Sequence, residues 1–151
     1  MTRLALIAAA GLILAGCGGG HTSTHPRPPH YPVVVHSPTV MPAPRLGLGD
    51  LPRFVSPTRL AIVTMGSSSC PSVPDEMVVL NKHTIRLHLT VGSWVDGKLV
   101  AKSPEACTLD YGPTPMLVAI DPRLVDVHRS LTVRLFYGES KKPVVRTVAP
   151  L

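Results

Sequence analysis

From Thr58 onward, apolar residues recur at alternate positions in short runs separated by turn residues. This is the period of a strand with one buried face. Leu60–Met65 is the first run, Met77–Leu80 the second and His83–Val91 the third. The third alternates without a break: Ile85, Leu87, Leu89 and Val91 share one face, and Thr84, Arg86, His88 and Thr90 the other. Asn81-Lys82 reads as a tight connection between the second and third runs, and Asp96-Gly97 as a stronger one between the third run and Lys98–Ala101. Each connection predicts antiparallel neighbours. Further on, Met116, Val118 and Ile120 alternate, as do Leu131, Val133 and Leu135, and Val144–Val148 is the last run. Pro113, Pro115, Pro122 and Pro143 are expected to mark breaks. Asp121–His128 is expected to form one helical turn in a crossover loop. About seven short strands with no 3.6-residue apolar repeat predict an all-β fold, a small Greek-key, immunoglobulin-like β-sandwich over 58–151, with a five- or six-stranded barrel as the alternative.

The amino-terminal part follows a different pattern. Arg3 precedes an apolar run, Leu4–Leu14, and the small residues Ala15-Gly16 precede Cys17. The run is shorter than the roughly 20 residues a membrane-crossing helix needs, so 1–16 reads as a secretory signal peptide. Leu14-Ala15-Gly16-Cys17, followed by Gly18-Gly19-Gly20, resembles the lipobox of bacterial lipoproteins. That resemblance implies a diacylglyceryl group on the Cys17 thiol, cleavage before it and acylation of the new amino terminus. Two or three acyl chains, at about 0.8 kcal/mol per buried CH2, hold a protein on a bilayer almost permanently. The expected location is the extracytoplasmic face of the cell membrane.

Residues 17–57 carry nine of the 17 prolines, interspersed with Gly, Ser, Thr and His. Such a composition buries too little apolar surface to offset chain ordering, and proline favours extended polyproline geometry. The expectation is a flexible tether, with Val33-Val34-Val35 and Leu46-Gly47-Leu48 as apolar islands able to add an edge strand. With Cys17 assigned to the anchor, Cys70 and Cys107 remain. An exported chain meets an oxidising compartment, so these two are expected to form a disulfide.

The stretch Gly66-Ser67-Ser68-Ser69-Cys70-Pro71 with Pro74, followed by Cys107-Thr108-Leu109-Asp110, resembles a group of small exported proteins and lipoproteins of actinobacteria. The resemblance covers residues 60–151 and leaves out the tether. It implies a disulfide-linked β domain at the cell envelope and no particular reaction.

Charge changes the picture little. Fifteen Lys and Arg against nine Asp and Glu give +6, but the cations are scattered and no aromatic-flanked basic run marks a nucleic-acid platform. Ser67, Ser68 and Ser69 lack a G-x-S-x-G elbow and read as turn residues, not nucleophiles. No phosphate-cradling glycine loop, H-E-x-x-H or calcium loop occurs in the chain. Trp94, the single tryptophan, falls off the alternating face and is expected to be partly exposed; Tyr111 is a second aromatic candidate for partner binding. Arg86 and His88, on one outward face, suit an anionic partner. His21, His25, His30 and His36 lie in the tether and form the alternative reading, a Zn or Cu site. The expectation is a non-catalytic, monomeric, lipid-anchored binding or structural module of the cell envelope, with no cofactor beyond the lipid on Cys17. Its partner is expected to be an envelope protein or an anionic polymer.

Overall fold

The computed structural model describes residues 29–43, 48–49, 51–96, 98–102 and 106–151. Eleven strands are found among the described residues: β1 (Val33–His36), β2 (Val40–Pro42), β3 (Arg53–Ser56), β4 (Arg59–Gly66), β5 (Ser72–Asn81), β6 (Thr84–Val91), β7 (Ser93–Val95), β8 (Lys98–Val100), β9 (Gly112–Ala119), β10 (Leu131–Tyr137) and β11 (Val144–Val148). One sheet has the order β1-β5-β6-β10-β11, a second β2-β9-β4-β3, and β7 and β8 form a separate hairpin. The fold is all-β, built of open sheets and not a barrel. One disulfide, Cys70–Cys107, links residues 37 apart with 5.5 Å between the Cα atoms.

The two larger sheets share one core. Phe54, Leu60, Ile62, Met116 and Val118 face it from the four-stranded sheet, and Met77, Val79, Ile85, Leu87, Leu89, Leu131, Val133, Leu135 and Val148 from the five-stranded one. The alternation of β6 is carried out for three of its four apolar positions: Ile85, Leu87 and Leu89 are buried, whereas Val91 runs past the end of the core and is exposed. The Asn81-Lys82 connection joins β5 and β6 as an antiparallel pair. A parallel pairing of β6 with β10, Ile85 beside Val133 and Leu87 beside Leu135, was not signalled by the alternation. It needs a crossover, which here runs through the β7–β8 hairpin and through β9 in the other sheet.

Three expectations are corrected. Residues 40–42 and 53–56, placed in the tether, are strands of the four-stranded sheet, and the apolar island Val33-Val34-Val35 does add an edge strand to the five-stranded one, so the sandwich extends upstream of residue 58. Their prolines sit at strand ends or in the connections, where no ladder N–H is missed. Pro113 and Pro115 do not break a strand but lie inside β9, paired with Met65 and Val63 of β4. The Pro115 carbonyl accepts from the Ala43 N–H at 3.0 Å, and the Ala119 N–H donates to the Thr39 carbonyl at 2.9 Å, so this set of backbone groups faces β2 and the missing N–H groups leave the β4–β9 ladder intact. Lys98–Val100 pairs with Ser93–Val95 and not with β6; Asp96, at φ 50°, supplies the left-handed geometry of that turn. The single helical turn expected in the 121–128 crossover loop is present: the Asp121 carbonyl accepts from the Leu124 N–H at 2.9 Å and the Val125 N–H at 3.1 Å, and the turn is not continued into a helix.

Candidate functional site

At one end of the sandwich β4 leaves the small sheet at Gly66 and the chain turns back into β5 at Ser72. The turn is tight because Ser67 and Cys70 exchange backbone hydrogen bonds, both 3.2 Å, and the Ser67 hydroxyl accepts from the Cys70 N–H at 3.0 Å. A Cβ at Gly66 would lie 2.7 Å from the Cys70 carbonyl oxygen and 2.8 Å from the Pro71 Cα, so only glycine fits there.

Ser68 joins three elements at this end. Its N–H donates to Asp110 Oδ2 at 3.0 Å, its carbonyl accepts from the Trp94 indole N–H at 3.2 Å, and its hydroxyl lies 3.3 Å from the Thr108 hydroxyl. The Ser69 hydroxyl meets the Thr108 hydroxyl at 3.1 Å and accepts from the Thr108 N–H at 2.8 Å. Hydrogen bonds from Thr108 and Ser68 hold the Asp110 carboxyl below the usual range, so this end carries a fixed negative charge. The three serines are therefore engaged in turn and loop contacts, the arrangement expected for structural hydroxyls.

Several large apolar side chains are exposed around that polar brace. Trp94 is 42% exposed, Tyr111 74%, and Leu109 fully. Val91 and Val95 are also exposed. The structure thus brings Trp94 and the Leu109–Tyr111 segment to the same disulfide-braced end, linked through Ser68. Leu109 was not singled out in the sequence; its place directly after Cys107-Thr108 in a polar stretch was the available signal.

Arg86 and His88 lie elsewhere, on the outward face of β6, and both already have carboxylate partners on β5. Arg86 Nη2 donates to Glu76 Oε1 at 3.3 Å. His88 Nδ1 lies 2.7 Å from Asp75 Oδ1, and Nε2 lies 2.9 Å from the Gly138 carbonyl. Both ring nitrogens thus face acceptors, an arrangement only the doubly protonated ring satisfies. The hydrogen bond to Asp75 accordingly raises the His88 pKa, against the opposing effect of burial.

His36 stands 3.9 Å from Glu76, and His30 is exposed. Among the described residues no group of three or more His, Cys, Asp or Glu gathers in metal-binding proximity. His21, His25 and Cys17 lie outside the described residues, as do the stretch 1–16 read as a signal peptide and the segment that resembles a lipobox. Among the described residues no helix is long and apolar enough to cross a membrane. Comparison with known protein families, curated proteins and solved structures finds no match.

Proposed function

We propose that the protein is a non-catalytic binding module of the bacterial cell envelope, anchored through lipid on Cys17 at the extracytoplasmic face, that docks another envelope protein on its disulfide-braced end. The observation that carries this reading is the exposure of Trp94, Leu109 and Tyr111 at one cross-linked, hydrogen-bonded end of the sandwich. Aromatic side chains on rigid supports supply most of the energy in protein interfaces, because little side-chain entropy is lost when they are covered. A protein partner is favoured over an anionic polymer because Arg86 and His88 are internally paired with Glu76 and Asp75, and the disulfide end itself carries the Asp110 carboxylate.

The test is crosslinking in the native envelope from a photoreactive residue in place of Trp94, followed by mass spectrometry. One dominant protein adduct is expected, absent when the probe stands at Arg129 at the other end. Scattered neighbours from both positions would overturn the docking assignment. The anchoring half is tested separately by the mass of the mature protein: a form without acyl groups on Cys17 would overturn it.

A further inference from the structure

The sandwich is open along the side where its sheets end in β3 and β11. A cleft of about 320 Å³ enters there and reaches the core residues Ile62, Val133 and Leu135. That volume lies at the small end of the usual range for ligand sites, roughly 300–1,000 Å³.

Tyr137 and Arg146, which line the cleft, carry polar groups. The β10–β11 register pairs Leu131 with Val148, Val133 with Arg146 and Leu135 with Val144. Leu131, Val133, Leu135 and Val148 are all buried, so Val144, Arg146 and Val148 form the core-facing row of the edge strand. Arg146 occupies the middle of that row; it is exposed to solvent and lines the cleft from its edge. Its guanidinium donates to the Val145 carbonyl at 3.0 Å, and none of the ion pairs found among the described residues includes it. Tyr137 continues the inward row of β10 and feels the charge of Arg146 and the proximity of Tyr111. Burial pushes its phenol pKa up, so the group stays a neutral donor.

An apolar floor gains from hydrocarbon, and a guanidinium without a carboxylate partner gains from an anion. We propose that the cleft binds a free single-chain amphiphilic anion, with its tail on Ile62, Val133 and Leu135 and its carboxylate or phosphate head on Arg146. This site goes beyond the docking of a protein at the disulfide end and does not depend on it; Tyr111 alone belongs to both, lining the mouth of the cleft.

The test uses the full chain and dodecanoate below its micellar concentration, followed by titration calorimetry, with dodecyltrimethylammonium as the cationic counterpart. The expected result is saturable one-to-one binding of dodecanoate at least tenfold tighter than of the cation. Arg146→Gln is expected to lose about tenfold in affinity, Arg146→Lys less, and Val144→Trp, which fills the cleft, all measurable binding. Thermal melts establish that each variant is folded, and Tyr137→Phe, expected to weaken binding a few-fold, replaces Val144→Trp if that chain does not fold. Absence of saturable binding to the folded wild type would overturn the site, as would equal affinity for the two amphiphiles. Unchanged affinity in Arg146→Gln would overturn it too and leave Arg146 as a charge that guards an edge strand against pairing. Association with phosphatidylglycerol vesicles, but not with monomeric dodecanoate, would locate the attraction at a membrane surface and overturn the cleft assignment.

Discussion

His88 ties three segments together through one ring: Asp75 on β5, Gly138 in the turn after β10, and its own position on β6. Its pKa in the fold lies above the ordinary value of 6.5. A raised histidine pKa contributes stability fully below the unfolded value, and that contribution disappears as pH rises through the folded one. His88→Gln should therefore cost more at pH 5.5 than at pH 8.5. The side chain is 40% exposed, so solvent screens the pair and the difference should stay below about 1 kcal/mol. Urea midpoints of both proteins at the two pH values check this, and equal costs would remove the ionic role of the ring. Gly66 is constrained by backbone on every side, since its Cβ would meet Cys70, Pro71 and Ser72 main-chain atoms within 2.8 Å. Gly66→Ala should lower stability by about 1–3 kcal/mol, the range for overpacking a close-fitted site; a melt identical to wild type would show that the turn opens freely.

At the scale of elements, hydrophobic alternation was a reliable guide wherever a strand packs on one face only. β4, β6, β9, β10 and β11 all contain the runs that alternation marks, and their inward positions Leu87, Met116 and Val133 are buried as expected. It was a poor guide to the short edge strands. Val33–His36 has no stable pairing of its own and becomes a strand because the β5 edge from Glu76 to Val79 offers it one, a tertiary fact absent from the local pattern. The exposed end was legible in part: Trp94, Tyr111 and the cysteine pair stand out in the sequence, but their convergence depends on the Ser68 backbone, which carries no sequence signal. The place of Arg146 at the cleft was not legible in Val144–Val148, because it depends on the pairing of β11 with β10 and on β3 and β11 leaving that side of the sandwich open. The loop bearing Leu109 and Tyr111 is pinned to the β4–β5 turn by the disulfide across 37 residues. In the chain-entropy account such a loop contributes about 4 kcal/mol. Replacing both cysteines by alanine should lower stability by roughly that amount, read from urea unfolding in non-reducing buffer, and should abolish the crosslink from position 94. A loss under about 1 kcal/mol would mean the Ser68–Thr108–Asp110 contacts hold the end unaided.

The whole molecule has two distinct ends. Val33 pairs with Val79 and His36 with Glu76, while Ser72 pairs with Val91, so the chain comes into the sandwich beside the Lys82 turn and the disulfide lies at the far end of β5. The Tyr31 hydroxyl donates to the Leu124 carbonyl at 2.7 Å and the Leu151 N–H to the Val127 carbonyl at 2.9 Å, fastening both flanks to the 121–129 turns. A chain held from its amino-terminal side thus presents Trp94, Leu109 and Tyr111 outward, the orientation that the proposed docking requires. The same connectivity makes β1, β2 and β3 part of the folding unit: Val33, Val35 and Val40 pack against the core, and Phe54 is buried in it. A chain beginning at residue 58 lacks all of these contacts, and truncating a buried Phe alone typically costs about 3–5 kcal/mol. It should therefore unfold without a cooperative transition, while a chain beginning at residue 29 should melt like the full-length protein. Calorimetric scans of the two truncations decide the matter: if the shorter chain melts cooperatively at the same temperature, the first three strands decorate a domain that stands without them.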